Sequence, residues 1–92
     1  STAIRDTQSV LHPYTDARAH QKGTPLVISR GKGVRVFDDQ GNSYIETVAG
    51  LWCASLGFDN ERLVEAAARQ MRQLPFYHGF TGRTHEPQVE LA

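Results

Sequence analysis

The residues best suited to bind a ligand are aromatic and lie in irregular segments. The only tryptophan, Trp52, stands between Gly50 and Gly57, just after a strand-like run. Glycines on both sides allow sharp turns and close backbone approach, and an indole offers a large apolar wall with one N–H donor. Pockets are commonly built from such loop residues on a rigid scaffold. The residue type alone, however, favours packing in a core or an interface over contact with a ligand. Further aromatic residues share this irregular setting: Tyr14, Phe76, Tyr77 and Phe80.

Other residues that could do chemistry form no catalytic pattern. Gly31 and Gly33 are followed by β-favouring residues, which predicts a hairpin turn rather than a phosphate-binding loop. Cys53 has no neighbouring base and is expected to be a small buried apolar residue. Lys22 and Lys32 lie in a predicted loop and a predicted turn, so neither is given a catalytic role. No metal site is predicted, because the histidines have neither metal-ligand spacing nor a cysteine pair to join. They are His12, His20, His78 and His85.

Length, charge and cysteine content narrow the class of protein. A chain of 92 residues is one domain at most, or part of a larger one. Its formal net charge of zero argues against a nucleic-acid or anionic-membrane partner. No apolar run approaches the roughly 20 residues needed to cross a bilayer, and residues 1–6 lack signal-peptide features. With one cysteine, the expected location is a reducing cytoplasm. Because residues 84–92 look like the first turns of a helix, we expect a piece of a longer protein.

The expected architecture is α+β, with five segments in one partial domain. Residues 1–11 could form a short helix, and residues 17–24 look like a polar loop. Three β-favouring runs, 26–28, 34–37 and 43–45, are joined by short connectors and predict an antiparallel meander. Asn60 is a good N-cap for an amphipathic helix that Pro75 ends. The segments are an N-terminal helix and arm (1–24), the β-meander (25–48), a pocket loop (49–59), the amphipathic helix (60–74), and an aromatic loop with the start of the next helix (75–92).

Several blocks in a fixed order resemble the opening of a class III (omega-type) aminotransferase, most closely the omega-amino acid:pyruvate subgroup. The resemblance spans residues 12–92. It implies the N-terminal part of the small domain of a fold-type I enzyme that uses pyridoxal 5'-phosphate (PLP) and acts as a homodimer. The blocks are His12-Pro13-Tyr14-Thr15-Asp16, Arg30-Gly31-Lys32-Gly33-Val34, Asp38-Asp39-Gln40-Gly41, Gly50-Leu51-Trp52-Cys53, Leu74-Pro75-Phe76-Tyr77 and Gly82-Arg83-Thr84-His85.

The resemblance also implies roles for four residues. Tyr14 matches an aromatic position that closes over the substrate side of the pocket, and Leu51 and Trp52 match the pair that lines the amine side. Phe80 matches an aromatic residue that enters the pocket of the partner subunit. No catalytic residue is expected in this chain, because the Schiff-base lysine and most PLP-binding residues of the family lie beyond residue 92. The implied substrates are an amine or omega-amino acid and an oxo acid such as pyruvate.

Two alternatives remain open at this point. The same superfamily includes PLP-dependent decarboxylases and aminomutases, which share the fold and differ in the reaction. A stand-alone binding or interaction module, built from a small meander and one covering helix, is the alternative from another class. Too little apolar surface would be covered in such a module for it to be stable, so we expect the isolated chain to be poorly structured.

Overall fold

A computed structural model describes all residues from Ser1 to Ala92. The chain forms two compact units, Ser1–Asp59 and Asn60–Ala92, where the sequence analysis treated every segment as part of one partial domain. The first unit holds the helices α1 (Thr2–Ser9) and α2 (Ala17–Lys22), the strands β1 (Ile28–Lys32), β2 (Arg35–Asp38) and β3 (Ser43–Ile45), and the short turn α3 (Ala49–Trp52). The second unit holds α4 (Glu61–Gln73) and α5 (Glu86–Leu91).

The three strands form an antiparallel sheet in the order β1-β2-β3, which confirms the predicted meander. The first strand differs from the prediction, since it begins at Ile28 and continues through Gly31 to Lys32. The first hairpin therefore turns at residues 33–34, two residues later than the glycine pattern suggested. Gly31 belongs in the strand because the Phe58 side chain lies against it: a Cβ at Gly31 would come within 2.5 Å of Phe58 Cβ.

The second hairpin is organised by a buried carboxylate. Asp38 is 5% exposed and accepts hydrogen bonds from the backbone N–H groups of Gln40 and Asn42, at 3.0 and 2.8 Å. The Asn42 side-chain amide and the Tyr44 hydroxyl also donate to it, each at 2.9 Å. The amide of Asn42 lowers the pKa of Asp38 most, and the remaining donors help it to outweigh burial, which acts in the opposite direction. Gly41 closes the turn at φ 88°, a conformation that glycine adopts readily.

The first unit has two helices, of which only the first was predicted from the sequence. α1 occupies most of the predicted helix, with the Ser1 hydroxyl accepting from the Ile4 backbone N–H. The polar loop expected over residues 17–24 is wrong, since α2 covers residues 17–22. Asp16 explains the helix: its carboxylate accepts from the Ala19 backbone N–H at 2.9 Å and so satisfies one of the free donors of the first turn.

The second unit is built around the amphipathic helix that the apolar spacing predicts. α4 begins after Asn60, whose side chain accepts from the Leu63 backbone N–H, and ends before Leu74 and Pro75. Its apolar residues are largely uncovered, with Leu63 54% and Met71 64% exposed. The predicted start of a further helix is also present, as α5.

Very little of the chain is buried. Val36 is the only buried hydrophobic residue, and Asp38 is the only buried polar one. A unit with one buried apolar side chain has almost no core of its own, because apolar burial is the main favourable term in folding. None of the helices is both long enough and apolar enough to span a bilayer.

Candidate functional site

The segment around Trp52 has an unusual backbone. Ala49, Gly50, Leu51 and Trp52 all have positive φ, at 50°, 61°, 61° and 70°. Such a conformation costs a non-glycine residue about 1–2 kcal/mol, because Cβ crowds the following carbonyl oxygen. Ala49, Leu51 and Trp52, the three residues here that carry a Cβ, therefore adopt a left-handed turn that their intrinsic backbone preferences disfavour.

Hydrogen bonds hold this left-handed turn in place. Trp52 N–H donates to the Val48 carbonyl at 2.8 Å. The N–H groups of Cys53 and Ala54 both donate to the Ala49 carbonyl, at 3.0 and 2.8 Å. Strained backbone of this kind persists only where neighbouring structure fixes it, and it is found preferentially at functional sites.

The loop that follows anchors the turn to the first hairpin. Phe58 N–H donates to the Gly33 carbonyl at 3.0 Å, and Asp59 Oδ1 accepts from the Gly33 N–H at 2.7 Å. The Phe58 ring lies against both Gly31 and Gly50, since a Cβ at Gly50 would be 3.5 Å from Phe58 Cε1. The position of the left-handed turn is thus set by the β1-β2 hairpin through one aromatic side chain.

This geometry presents the predicted pocket residues to solvent. Trp52 is 83% exposed and Leu51 is 73% exposed, so neither belongs to a core within this chain. The reading of Trp52 as a core residue of this chain is therefore wrong. Cys53 is also exposed, contrary to the expectation of a buried thiol, because it ends a turn that lies on the surface.

The other two predicted site residues are exposed as well. Tyr14 lies in the first unit and is fully exposed, so its ring does not pack against Leu51 or Trp52. Phe80 lies in the second unit and is 76% exposed. Tyr14 itself has positive φ, at 49°, and so has Thr81 next to Phe80, at 57°. Each of the four residues is exposed within its own unit, and their common role stays a prediction.

A second cluster was not foreseen from the sequence. The Nε2 atoms of His12 and His20 both lie beside the carboxylate of Asp6, at 3.0 and 2.9 Å. Burial acts to raise the pKa of Asp6, but the hydrogen bonds from His20 and His12 outweigh it and hold that pKa below its usual value. The linear spacing of the histidines gave no signal of this cluster, because it depends on how α1 and α2 pack.

The chain shows no cradle for a phosphate-bearing cofactor. Lys22 and Lys32 are exposed on the end of a helix and the end of a strand, and neither faces an enclosed site. The first-turn donor at the start of α4 is already satisfied by Asn60. The residues present therefore do not fit PLP by themselves.

The family is decided by comparison with known proteins. The model of class III aminotransferases matches residues 16–92. The chain belongs to the class III aminotransferase family. Members of this family use PLP, which accords with the cofactor that the sequence analysis expected.

Individual aminotransferases match almost the whole chain. A putrescine–pyruvate aminotransferase of Pseudomonas aeruginosa is 44% identical over 82 residues, which is 89% of this chain and 18% of that protein. The omega transaminase of Pseudomonas jessenii in complex with PMP has a TM-score of 0.96 and 55% identity, over 100% of this chain and 20% of that one. A thermostable omega transaminase variant engineered for asymmetric synthesis of enantiopure bulky amines has a TM-score of 0.96 and 53% sequence identity, again over 100% of this chain and 20% of that one.

These class III aminotransferases are much longer than the present chain. The chain spans about a fifth of the length of the relatives it matches. The fold class predicted from the sequence is confirmed, because the whole chain superposes on part of PLP-dependent omega transaminases. The expectation that this chain corresponds to the N-terminal segment of such a fold is confirmed with it.

Proposed function

We propose that this chain is the N-terminal segment of an aminotransferase that moves an amino group from an amine or omega-amino acid to an oxo acid such as pyruvate. Within that enzyme the chain lines the substrate pocket and part of a homodimer interface. PLP is bound mainly by residues outside this chain and supplies the chemistry of amino transfer. The segment itself orients the amine and excludes water from it.

The distribution of backbone strain carries this proposal. The non-glycine residues with positive φ are Tyr14, Ala49, Leu51, Trp52 and Thr81. Three of them are residues to which the family resemblance gives a pocket role, and the other two directly adjoin Gly50-Leu51 and Phe80. A left-handed backbone at bulky residues is rare, and its cost is tolerated where a side chain must be aimed in one direction. Three of the four residues that the resemblance selects thus have a conformation that local propensity does not explain, and the fourth, Phe80, precedes such a residue.

One relative supports a pocket that limits the size of the amine, and a second supports the choice of amino acceptor. The engineered variant made for bulky amines carries changes at a tryptophan and a phenylalanine that lie 28 positions apart. Trp52 and Phe80 have the same separation of 28 positions. The relative from Pseudomonas aeruginosa is named for putrescine and pyruvate, which supports pyruvate as the amino acceptor here.

Exposed apolar surface supports burial against other parts of the enzyme. Trp52, Phe76 and Phe80 are each more than three-quarters exposed, and the apolar side of α4 is open. A soluble protein rarely leaves so much aromatic surface in water unless it is an interface or a binding site. The remainder of the enzyme and the second subunit are the proposed cover, with Phe80 entering the partner's pocket.

The single free thiol, Cys53, supports a reducing compartment such as the cytoplasm.

The reaction is tested on the full-length protein that carries this segment, loaded with PLP. Incubation with a primary amine and pyruvate should yield alanine and the matching carbonyl product, and the yellow absorbance of the loaded enzyme should shift when the amine alone is added. Carbon dioxide release would indicate a decarboxylase, and an amino group moved within the same molecule would indicate an aminomutase. Either product without alanine contradicts the proposed reaction.

The role of Phe80 across the interface has its own test. Mixed dimers are prepared in which one subunit is inactive because its Schiff-base lysine, outside this chain, has been replaced. Phe80→Ala on the inactive subunit should change the amine preference of the active one, whereas Phe80→Ala on the active subunit should leave it unaltered. The opposite assignment would place Phe80 in the pocket of its own subunit.

A further inference from the structure

Three side chains outside the proposed pocket converge at one point in the first unit. Asp6 comes from α1, His12 from the connection after it, and His20 from α2. His12 Nε2 is 3.0 Å from both carboxylate oxygens of Asp6, and His20 Nε2 is 2.9 Å from Oδ2. The two imidazole rings lie side by side, with centroids 4.3 Å apart. One potential ligand atom from each residue falls within 4.8 Å of the other two.

These distances match the spacing of atoms around one metal ion. Zinc binds imidazole nitrogen and carboxylate oxygen at about 2.0–2.2 Å, so two ligands at right angles lie about 3 Å apart. The nitrogen–oxygen separations of 2.9 and 3.0 Å therefore already correspond to neighbouring positions in one coordination sphere. An octahedral metal fits these nitrogen–oxygen separations as they stand, whereas tetrahedral zinc requires them to widen by about 0.4 Å.

The ligand types and the access route fit a transition metal. Two imidazole nitrogens and one carboxylate favour Zn²⁺, Co²⁺, Ni²⁺ or Cu²⁺ over Mg²⁺ and Ca²⁺, which prefer oxygen ligands. The three side chains are partly exposed, at 36% for His12, 16% for His20 and 23% for Asp6. His12 and His20 also line an open cleft of about 220 Å³ between α1 and α2, through which a hydrated ion can enter.

We propose that Asp6, His12 and His20 form a binding site for a divalent transition metal, with solvent in the remaining coordination positions. The metal ties α1, the following connection and α2 together and so stabilises the N-terminal arm. No residue given a pocket role by the resemblance takes part, so this site stands independently of the proposed aminotransferase reaction.

Cobalt provides a direct test, because its visible absorption reports the geometry and type of its ligands. The full-length, PLP-loaded protein is treated with a chelator, desalted and titrated with Co²⁺, and then Zn²⁺ is added in competition. We expect one saturable site per chain with an absorption spectrum typical of nitrogen and oxygen ligands, displaced by Zn²⁺. His20→Asn and Asp6→Asn should each weaken Co²⁺ binding at least about tenfold, since a metal site that loses one ligand suffers at least as much as one that loses a supporting residue.

A matched control removes an imidazole elsewhere. His85 lies at the start of α5 and makes no side-chain capping hydrogen bond, and asparagine is a good residue at that position. His85→Asn should leave Co²⁺ binding within about twofold of the wild-type value, well short of the tenfold loss expected for a ligand. Because every variant keeps PLP, metal bound by the cofactor itself contributes equally to all of them and cancels from the comparison.

Thermal unfolding gives a second readout that does not require a spectrum. A metal that binds only the folded protein raises its unfolding temperature, and the rise grows with the logarithm of the free metal concentration once this exceeds Kd. Zn²⁺ should raise the midpoint of the wild-type protein and of His85→Asn, and it should have no such effect on Asp6→Asn. Equal binding and equal Zn²⁺ shifts in all four proteins, or no saturable binding to the wild type, would overturn the proposal.

Discussion

Replacement of Trp52 by glycine separates a pocket role from a packing role. Trp52 is 83% exposed, so its removal takes little apolar contact away from this chain. Its φ of 70° is one that glycine adopts freely, so the change relieves about 1–2 kcal/mol of backbone strain. Glycine also loses more backbone freedom on folding than tryptophan does, and this lowers stability by about 0.5–1 kcal/mol. Trp52→Gly should therefore leave stability unchanged or raise it by about 1 kcal/mol.

The expected effect on substrate choice is much larger. One methylene group in an apolar pocket changes discrimination between substrates by about 1–3 kcal/mol, or 10–200-fold in kcat/KM. An indole is far bulkier than a methylene group. If Trp52 limits the pocket, Trp52→Gly should raise the ratio of kcat/KM for a bulky amine over a small one by at least about tenfold.

The assay follows alanine formation by the full-length, PLP-loaded enzyme with pyruvate and a series of primary amines that differ only in alkyl size. Thermal unfolding and bound PLP are measured on the same samples. Phe76→Ala is the matched control, because Phe76 is a 78% exposed aromatic residue to which the family resemblance gives no pocket role. It should leave the ratio of bulky to small amine unchanged.

Two results would refute the reasoning about Trp52. Loss of PLP or a fall of many degrees in the unfolding midpoint of Trp52→Gly would show that the indole is a core residue of the complete enzyme. A folded, PLP-loaded variant with an unchanged ratio would show that the indole does not limit the substrate. Trp52→Leu, which keeps an apolar side chain, should give an intermediate ratio if the pocket role is right.

Three further predictions concern the elements that hold the segment together. Gly31→Ala should destabilise the folded protein by about 1–3 kcal/mol in chemical denaturation, because the new Cβ would lie 2.5 Å from Phe58 Cβ. Gly23→Ala is the control and should be tolerated, because its Cβ would make only ordinary contacts, the nearest at 3.4 Å. Asn60→Ala should cost about 1 kcal/mol through loss of the α4 cap, seen as faster amide hydrogen exchange in its first turn, whereas Asn60→Ser should retain most of it. Because the pKa of Asp38 is lowered on folding from a usual value of 3.8, its contribution to stability is present above that pH and is lost as the pH falls through the lower folded value. Denaturation between pH 2 and pH 6 should therefore show a steeper acid loss for the wild type than for Asp38→Asn, and parallel curves would contradict this.

Local sequence patterns predicted the elements that depend on local interactions. The spacing of apolar residues after Asn60 gives α4 to within one residue at each end. Gly41 and the polar residues around it give the second hairpin. α2 could also have been found, because Asp16 is a good N-cap and its carboxylate does accept from the first turn. The polar composition of the following residues obscured that signal.

What the sequence did not predict depends on contacts between distant residues. Gly31 looks like a turn residue until Phe58, which follows it by 27 positions, is found against its Cα. The grouping of Asp6 with His12 and His20 requires the packing of α1 on α2, which no spacing rule describes. The exposure of Trp52 could not be predicted from its residue type either, because large aromatic residues usually occupy core positions.

The left-handed turn links the fold to the proposed activity. An ordinary right-handed turn at Ala49–Trp52 would avoid about 3–6 kcal/mol of strain, summed over the three residues that carry a Cβ. Phe58, held by the first hairpin, and the bonds to the Val48 and Ala49 carbonyls keep the strained form instead. This form leaves Leu51 and Trp52 uncovered, which gives the chain itself no compensating burial. Under the proposed function, the strained form is retained because it holds Leu51 and Trp52 towards the substrate rather than because it adds stability.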